Sequence, residues 1–294
     1  MKYLEKYGYS PDVEAIGNSL EIISKNLDSM VSENVYTTCF SLMDLTSLSS
    51  NDTPSSISRF VGKVNTFAAE NPGFPLPASI CVYSNFAAQV CRERCTPDVH
   101  ATVVSACFPT SQSFLEVKVL ECRMAVRSGA DEVDIVLPLN SFLCGDEDAA
   151  ENEIRTIRAA IDEEAAGRHV CLKVILETGL LVKAELIAEA SFLAMECGAD
   201  FIKTSTGKVS VNATPTAAYI MCQCIARYYQ VTGRKVGFKP AGGISNASDA
   251  ACYYFIVSAV LGKEWLDKRL LRFGVSRLAN SLLSAIKGET VNFF

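Results

Sequence analysis

Short apolar runs rich in β-branched residues recur along the chain, and each is followed by a longer stretch with helical periodicity. The runs fall at roughly 39–46, 78–84, 101–107, 132–139, 170–178, 201–207, 235–241 and 269–275. Strands alternating with helices predict a parallel sheet, and eight is the number that closes a (β/α)8 TIM barrel. The stretches between the runs agree. Ile57, Phe60, Val61, Val64, Phe67 and Ala68 share one face at helical spacing. After Thr178 a helix is predicted from Gly179 to Cys197, with Leu186, Ala190, Leu193 and Cys197 on its apolar side and Gly198 stopping it. Ahead of the first strand lies one amphipathic helix, with Val13, Ile16, Leu20, Ile23 and Leu27 along one side. It serves to bury that stripe, or else as a cap or partner surface. The expected organisation is an N-terminal helical extension over 1–35 and a barrel over 36–294.

Strands buried on both faces read as continuous apolar runs. Four of these are interrupted by charge. Asp134 sits in Glu132-Val133-Asp134-Ile135-Val136, Lys173 in Cys171-Leu172-Lys173-Val174-Ile175, Lys203 in Phe201-Ile202-Lys203-Thr204, and Lys239 in Gly237-Phe238-Lys239-Pro240. Side chains alternate along a strand. If the apolar neighbours face the helices, all four charges face the barrel axis. An ion-pair network accounts for Asp134 with one lysine, but not for three lysines against one aspartate. Uncompensated buried charge is costly and marks function. A lysine crowded by cations and apolar walls has a lowered pKa, and its neutral amine attacks a carbonyl to form a Schiff base. A neighbouring carboxylate relays protons. The set suits carbon–carbon bond cleavage or formation.

Two glycine-containing loops follow these strands, Thr204-Ser205-Thr206-Gly207-Lys208 and Pro240-Ala241-Gly242-Gly243-Ile244-Ser245. Either a tight turn or a phosphate cradle explains them. Lys208 nearby, and Ser276 opening the last helix after Phe273-Gly274, favour the phosphate.

Charge and composition narrow the classes. A net charge of -6 and a pI near 5.2 argue against nucleic-acid binding, and an anionic substrate must be held by a local positive site. The 12 cysteines lie scattered in apolar stretches beside only 2 histidines, as buried reduced thiols do. Cys91-x3-Cys95 and Cys222-x-Cys224 lack partners for a metal site. No signal-peptide pattern and no apolar stretch near the ~20 residues of a membrane span is seen. A cytoplasmic protein without membrane or nucleic-acid partners is expected, as a homodimer.

At the charged strands and their loops the sequence resembles deoxyribose-phosphate aldolase, from about Leu42 to Ala285. The segments carrying the resemblance are Leu42-Met43-Asp44-Leu45-Thr46, Ala130-Asp131-Glu132-Val133-Asp134, Leu172-Lys173-Val174-Ile175-Leu176-Glu177-Thr178-Gly179, Gly198-Ala199-Asp200-Phe201-Ile202-Lys203-Thr204-Ser205-Thr206-Gly207-Lys208 and Val236-Gly237-Phe238-Lys239-Pro240-Ala241-Gly242-Gly243. The resemblance implies Lys203 as the Schiff-base lysine and Lys239 as the neighbour that lowers its pKa. It implies Asp134 as an acid/base group acting through water, with Lys173 steadying it. Asp44 and Thr206 would line the sugar end, and Gly207, Lys208, Gly242, Gly243 and Ser276 would hold the 5-phosphate. The implied reaction is reversible cleavage of 2-deoxy-D-ribose 5-phosphate to glyceraldehyde 3-phosphate and acetaldehyde, without metal or organic cofactor. Two positions depart from the family pattern. Arg277 replaces a frequent serine, and the chain ends Val291-Asn292-Phe293-Phe294 where many members carry a terminal tyrosine that moves a proton. Restoring that hydroxyl by Phe294→Tyr is expected to speed exchange at the acetaldehyde methyl. A barrel with little turnover that acts as a binding or scaffold protein, and an aldolase for another phosphosugar, remain the alternatives.

Overall fold

The computed structural model describes residues 1–294. Three helices precede the sheet: α1 (Lys2–Tyr7), α2 (Val13–Met30) and α3 (Glu33–Ser41). Then β1 (Met43–Thr46), α4 (Pro54–Glu70), β2 (Ser79–Tyr83), α5 (Ala87–Glu93), β3 (His100–Val104), α6 (Leu115–Arg127) and β4 (Glu132–Val136) follow. The chain continues through α7 (Leu139–Leu143), α8 (Glu147–Ala165), β5 (Cys171–Ile175), α9 (Thr178–Leu181), α10 (Ala184–Glu196) and β6 (Phe201–Lys203). It ends with α11 (Pro215–Thr232), β7 (Gly237–Lys239), α12 (Ala247–Leu261), β8 (Phe273–Val275) and α13 (Leu278–Lys287). The parallel strands pair in the order β7-β6-β5-β4-β3-β2-β1-β8. Bridges Phe238↔Leu271 and Ala241↔Gly274 join the two ends, with Phe238 N–H donating to Leu270 O at 2.8 Å. The result is a (β/α)8 barrel.

Seven of the eight apolar runs contain their strand, the run at 101–107 lacks only the first residue of β3, His100, and the differences lie at the ends. The run at 39–46 begins inside α3, because Cys39 and Phe40 are buried helix residues and an apolar run alone does not separate helix from strand. The helix predicted from Gly179 to Cys197 is two helices. Val182 takes φ 58, outside helical geometry, so α9 stops and α10 restarts at Ala184.

The N-terminal segment holds three helices where one was expected. The six residues of α1 are too few to show a period, and a distant group holds them. The buried carboxylate of Glu189 on α10 accepts from Tyr3 N–H at 2.7 Å and Leu4 N–H at 2.8 Å. It thus satisfies free amides at the positive end of the helix. Tyr7 stacks on Phe192 at 4.4 Å. The stripe of α2 is used for packing, with Ile16 and Ile23 buried against the helices α11 and α12. No helix is long and apolar enough to cross a membrane.

The C-terminal tail lies on the outer flank of the barrel. Asn280 Oδ1 accepts from the N–H groups of Phe293 and Phe294, both at 2.9 Å, and its amide donates to Phe294 O at 2.8 Å. The two rings join Phe67 at centroid distances of 5.5 and 5.4 Å. None of these residues lines the cleft described below. The expectation for Phe294→Tyr therefore reverses. A hydroxyl added there should leave exchange at the acetaldehyde methyl within about twofold, because a general acid or base acts only within hydrogen-bond reach. Acceleration by tenfold or more in a deuterium-exchange assay would show that the tail leaves this groove to act.

Candidate active site

The sheet register decides which charges meet. Asp134 on β4 lies opposite Lys173 on β5, and Lys203 on β6 lies opposite Lys239 on β7. Because Lys173 pairs with Phe201, Lys203 stands two residues further toward the C-terminal mouth. Two residues along a strand return a side chain to the same face one layer higher. The lysines therefore form a stair, with Lys203 and Lys239 together on the upper step and Lys173 below them.

Asp134 is the hub. Its Oδ1 accepts from Lys173 Nζ at 2.9 Å, and its Oδ2 accepts from Lys203 at 3.0 Å and Lys239 at 2.8 Å. Three further charges inside the barrel were not counted from the sequence as part of this set. Asp44 contacts Lys239 at 2.5 Å through one oxygen and Arg272 at 2.6 Å through the other. Glu132 takes a two-pronged contact from Arg272, at 2.6 and 3.1 Å, and a short one from Lys173. His100 Nδ1 lies 2.6 Å from Glu132 and closes the lower end toward solvent. The barrel interior thus holds three carboxylates against four cations, all of them buried. The surplus is one positive charge, smaller than three lysines against one aspartate implied. Asp44, expected at the sugar end, is fully buried beside Lys239 with both oxygens on cations.

This arrangement treats the three lysines differently. Burial disfavours the charged form of all three. At Lys173 the carboxylates of Asp134, Glu132 and Asp44 overcome that cost and hold the ammonium well above its ordinary range. At Lys239, Asp134 and Asp44 do the same. Lys203 touches Asp134 alone. There burial wins, the charge on Lys239 adds to it, and the Lys203 pKa falls below the ordinary value of 10.5. Burial would raise the Asp134 carboxyl, but Lys173, Lys239 and Lys203 hold it far below the usual carboxylate range.

Above the stair opens a cleft of about 620 Å3, and Lys203 is the one member of the charged set that lines it. Gly207, Lys208, Gly242, Gly243, Ser276 and Arg277 line its wall, from the loops after β6, β7 and β8. Gly242 has φ +79, and a Cβ there would fall 2.6 Å from Asn212 Oδ1. Gly274, opposite Asp44, is also required. A Cβ at this position would meet Lys239 Cε at 3.2 Å and Ala241 Cβ at 2.7 Å.

Thr206 lines the cleft, but its hydroxyl is engaged in the loop. It donates to Glu177 at 2.5 Å and accepts from Lys208 N–H at 3.0 Å. Glu177, buried at φ 56, also accepts from Thr206 N–H at 3.2 Å. It is a further residue at the site that sequence reasoning passed over. Lys208 reaches across the mouth and donates to Leu48 O at 2.5 Å.

A barrel whose C-terminal mouth brings a lysine of lowered pKa beside an aspartate fits an aldolase. Comparison with known proteins agrees. The model of the DeoC/LacD family aldolases matches residues 38–276, and the chain belongs to that family. Among solved structures, deoxyribose phosphate aldolase from Aeropyrum pernix, described as a tetramer, superposes with a TM-score of 0.67 at 22% identity, over 94% of this chain and 99% of that one. A Toxoplasma gondii ME49 protein assigned as a deoxyribose-phosphate aldolase gives 0.70 at 21% identity, covering 87% and 94%. A Coccidioides immitis protein with the same assignment gives 0.66 at 21%, covering 91% and 95%. At these identities the structural likeness concerns the fold.

Proposed function

We propose that this aldolase reversibly cleaves 2-deoxy-D-ribose 5-phosphate to D-glyceraldehyde 3-phosphate and acetaldehyde through a Schiff base on Lys203. One observation carries the reading. Of the three barrel lysines, only Lys203 both reaches the cleft and has its pKa lowered, whereas Lys173 and Lys239 are held as cations beneath it.

The neutral Lys203 amine adds to C1 of the open-chain sugar, and loss of water leaves a protonated imine. The C3 hydroxyl gives up its proton and the C2–C3 bond breaks. Glyceraldehyde 3-phosphate leaves, and the electron pair is held as an enamine on Lys203. Protonation at C2 and hydrolysis then release acetaldehyde. Asp134 stands 3.0 Å from Lys203 Nζ and is the acid/base group nearest the reacting nitrogen, moving protons through water. Lys173 fixes the other oxygen of Asp134, and Lys239 adds to burial in lowering the Lys203 pKa. The mouth loops, with Gly207, Lys208, Gly242, Gly243 and Ser276, take the phosphate.

The same reading places the protein in the cytoplasm as a homodimer. All 12 cysteines are free thiols, which suits a reducing compartment. Phe114 at the N-cap of α6 and Val117, Leu120 and Met124 along it are exposed, an apolar stretch that a second copy would cover.

A coupled assay with 2-deoxyribose 5-phosphate, run beside borohydride trapping, tests the function. The expected result is aldehyde production together with a stable added mass. Trapping without turnover would favour the binding or scaffold alternative. Neither signal with this sugar, but trapping with another phosphosugar, would move the substrate and keep the chemistry.

A further inference from the structure

Cleavage through an imine on Lys203 leaves an enamine, and its C2 must gain a proton before acetaldehyde is released. Asp134 is poorly suited to that carbon. Both its oxygens accept from lysines, and those cations hold it far below the usual carboxylate range. No Asp, Glu, His, Cys or Tyr lines the cleft. An acid or base for C2 must therefore act through a hydroxyl of the wall or through water. Two wall hydroxyls donate to a carboxylate. Ser47 donates to the half-buried Asp52 at 2.9 Å, on the loop after β1. Thr206 donates to Glu177 at 2.5 Å, just past the strand that ends in Lys203.

The Thr206–Glu177 pair has the features of a proton carrier. Glu177 is buried, and burial pushes its carboxyl above the ordinary 4.5, against the pull of Thr206 and Lys203. Thr206 Oγ1 has two lone pairs. One accepts from Lys208 N–H at 3.0 Å, and no protein group takes the other. Thr206 lines both the cleft and a neighbouring recess of about 410 Å3, whereas Glu177 lines the recess alone. The carboxyl thus faces a route to solvent that bypasses the substrate. Glu177 also holds φ 56, which glycine adopts freely and a residue with a Cβ resists. A side chain is kept at this position against the preference of its backbone.

We propose that Thr206 and Glu177 form a relay that carries the C2 proton between the substrate on Lys203 and solvent. The relay rests on the Schiff-base reading above and supplies its acid/base group at carbon. From imine to enamine, Thr206 Oγ1 takes a proton from C2 as its own proton passes to Glu177. The C–H electron pair becomes the C1–C2 double bond, and the imine π pair returns to nitrogen. Glu177, now a carboxylic acid, loses its proton to water in the recess. After cleavage the flow reverses: Glu177 gives a proton to Thr206 as the hydroxyl proton adds to C2. Glu177 acts only through Thr206, which is the group that meets the substrate.

The test uses the full chain with acetaldehyde in D2O. Methyl exchange is read by NMR and expressed per imine trapped by borohydride in parallel. Glu177→Gln keeps an acceptor for Thr206 but takes no proton, so exchange should fall by at least ~10²-fold, the low end for a positioned acid or base, with trapping within about threefold. Thr206→Val should lose exchange alike, and Thr206→Ser, which keeps a hydroxyl, should stay within about tenfold of wild type. Wild-type exchange should fall in acid, because the carboxylate is the accepting form, with a midpoint above 4.5 that Glu177→Gln lacks. Exchange that is unchanged in Glu177→Gln, or lost in Ser47→Ala instead, would overturn the relay. Equal losses of trapping and exchange would also overturn it, since they would make the pair structural. A wild-type adduct without methyl exchange refutes the relay alone. No wild-type adduct at all would sink the Schiff-base reading, and the relay with it.

Discussion

Lys203→Leu is expected to abolish the borohydride adduct and to cut turnover by at least ~10⁴-fold, the scale seen when a covalent nucleophile is removed. The geometry leaves no substitute. Lys173 and Lys239 are fully buried, and both are held in the ammonium form by two or more carboxylates. An ammonium has no lone pair with which to attack a carbonyl. The replacement should also fold. Lys203 donates to Asp134 alone, and Asp134 keeps Lys173 and Lys239 when it is gone. Peptide mapping after trapping checks the assignment. An added mass on Lys239 or Lys173 in the wild-type protein would overturn it.

Lys239→Leu should move the rate–pH profile of imine formation upward. Burial is the main reason that Lys203 is depressed, with Lys239 second and Asp134 opposing both. Removing Lys239 withdraws one depressing charge and leaves Asp134 Oδ2 to Lys203 alone. Both changes favour the ammonium, so the Lys203 pKa rises. The reactive amine is the form present above that pKa. The rate should therefore fall most near neutrality, on the order of 10²-fold for a like charge removed at this range, and recover in alkali. Burial persists in the variant, which keeps the profile from relaxing fully to ordinary lysine behaviour. Arg272 remains on Asp44, and a melting curve beside the kinetics shows whether the fold is kept. A uniform loss at every pH, with the midpoint unmoved, would assign Lys239 to contact or geometry instead.

The barrel and its central charges were legible because alternation is a strict rule in a strand. Asp134, Lys173, Lys203 and Lys239 interrupt apolar runs, and their inward direction follows from their neighbours. The same rule applied to Asp44, Glu132 and Arg272. Glu132 stands two residues before Asp134 and so shares its face, and Arg272 stands between Leu271 and Phe273. Asp44 is read from the sequence only as a sugar-end residue, and Glu132 and Arg272 only as parts of their strands, which overstates the positive surplus. Other features rest on contacts between distant parts of the chain. Nothing local to Tyr3 and Leu4 points to Glu189, and nothing local to Phe294 points to Asn280. The Thr206–Glu177 contact likewise depends on two loops meeting, and on a left-handed residue that is not glycine. The tight turn at Gly242 was readable, because the Gly242-Gly243 pair follows closely on the Lys239 strand in the sequence.

Sharing of carboxylates inside the barrel constrains how this protein can diverge. Asp134 serves three cations, and Asp44 and Glu132 each serve more than one. A single exchange at any of these positions unbalances several partners at once, so the interior accepts change only in concerted sets. The loops after β1, β6 and β8 carry no such burden, and Ser47, Ser49, Lys208 and Arg277 line the cleft from them. Libraries built on those four positions should yield variants with altered substrate range that still trap carbonyl compounds on Lys203. Libraries built on the shared carboxylates Asp44, Glu132 and Asp134 should yield mostly misfolded protein.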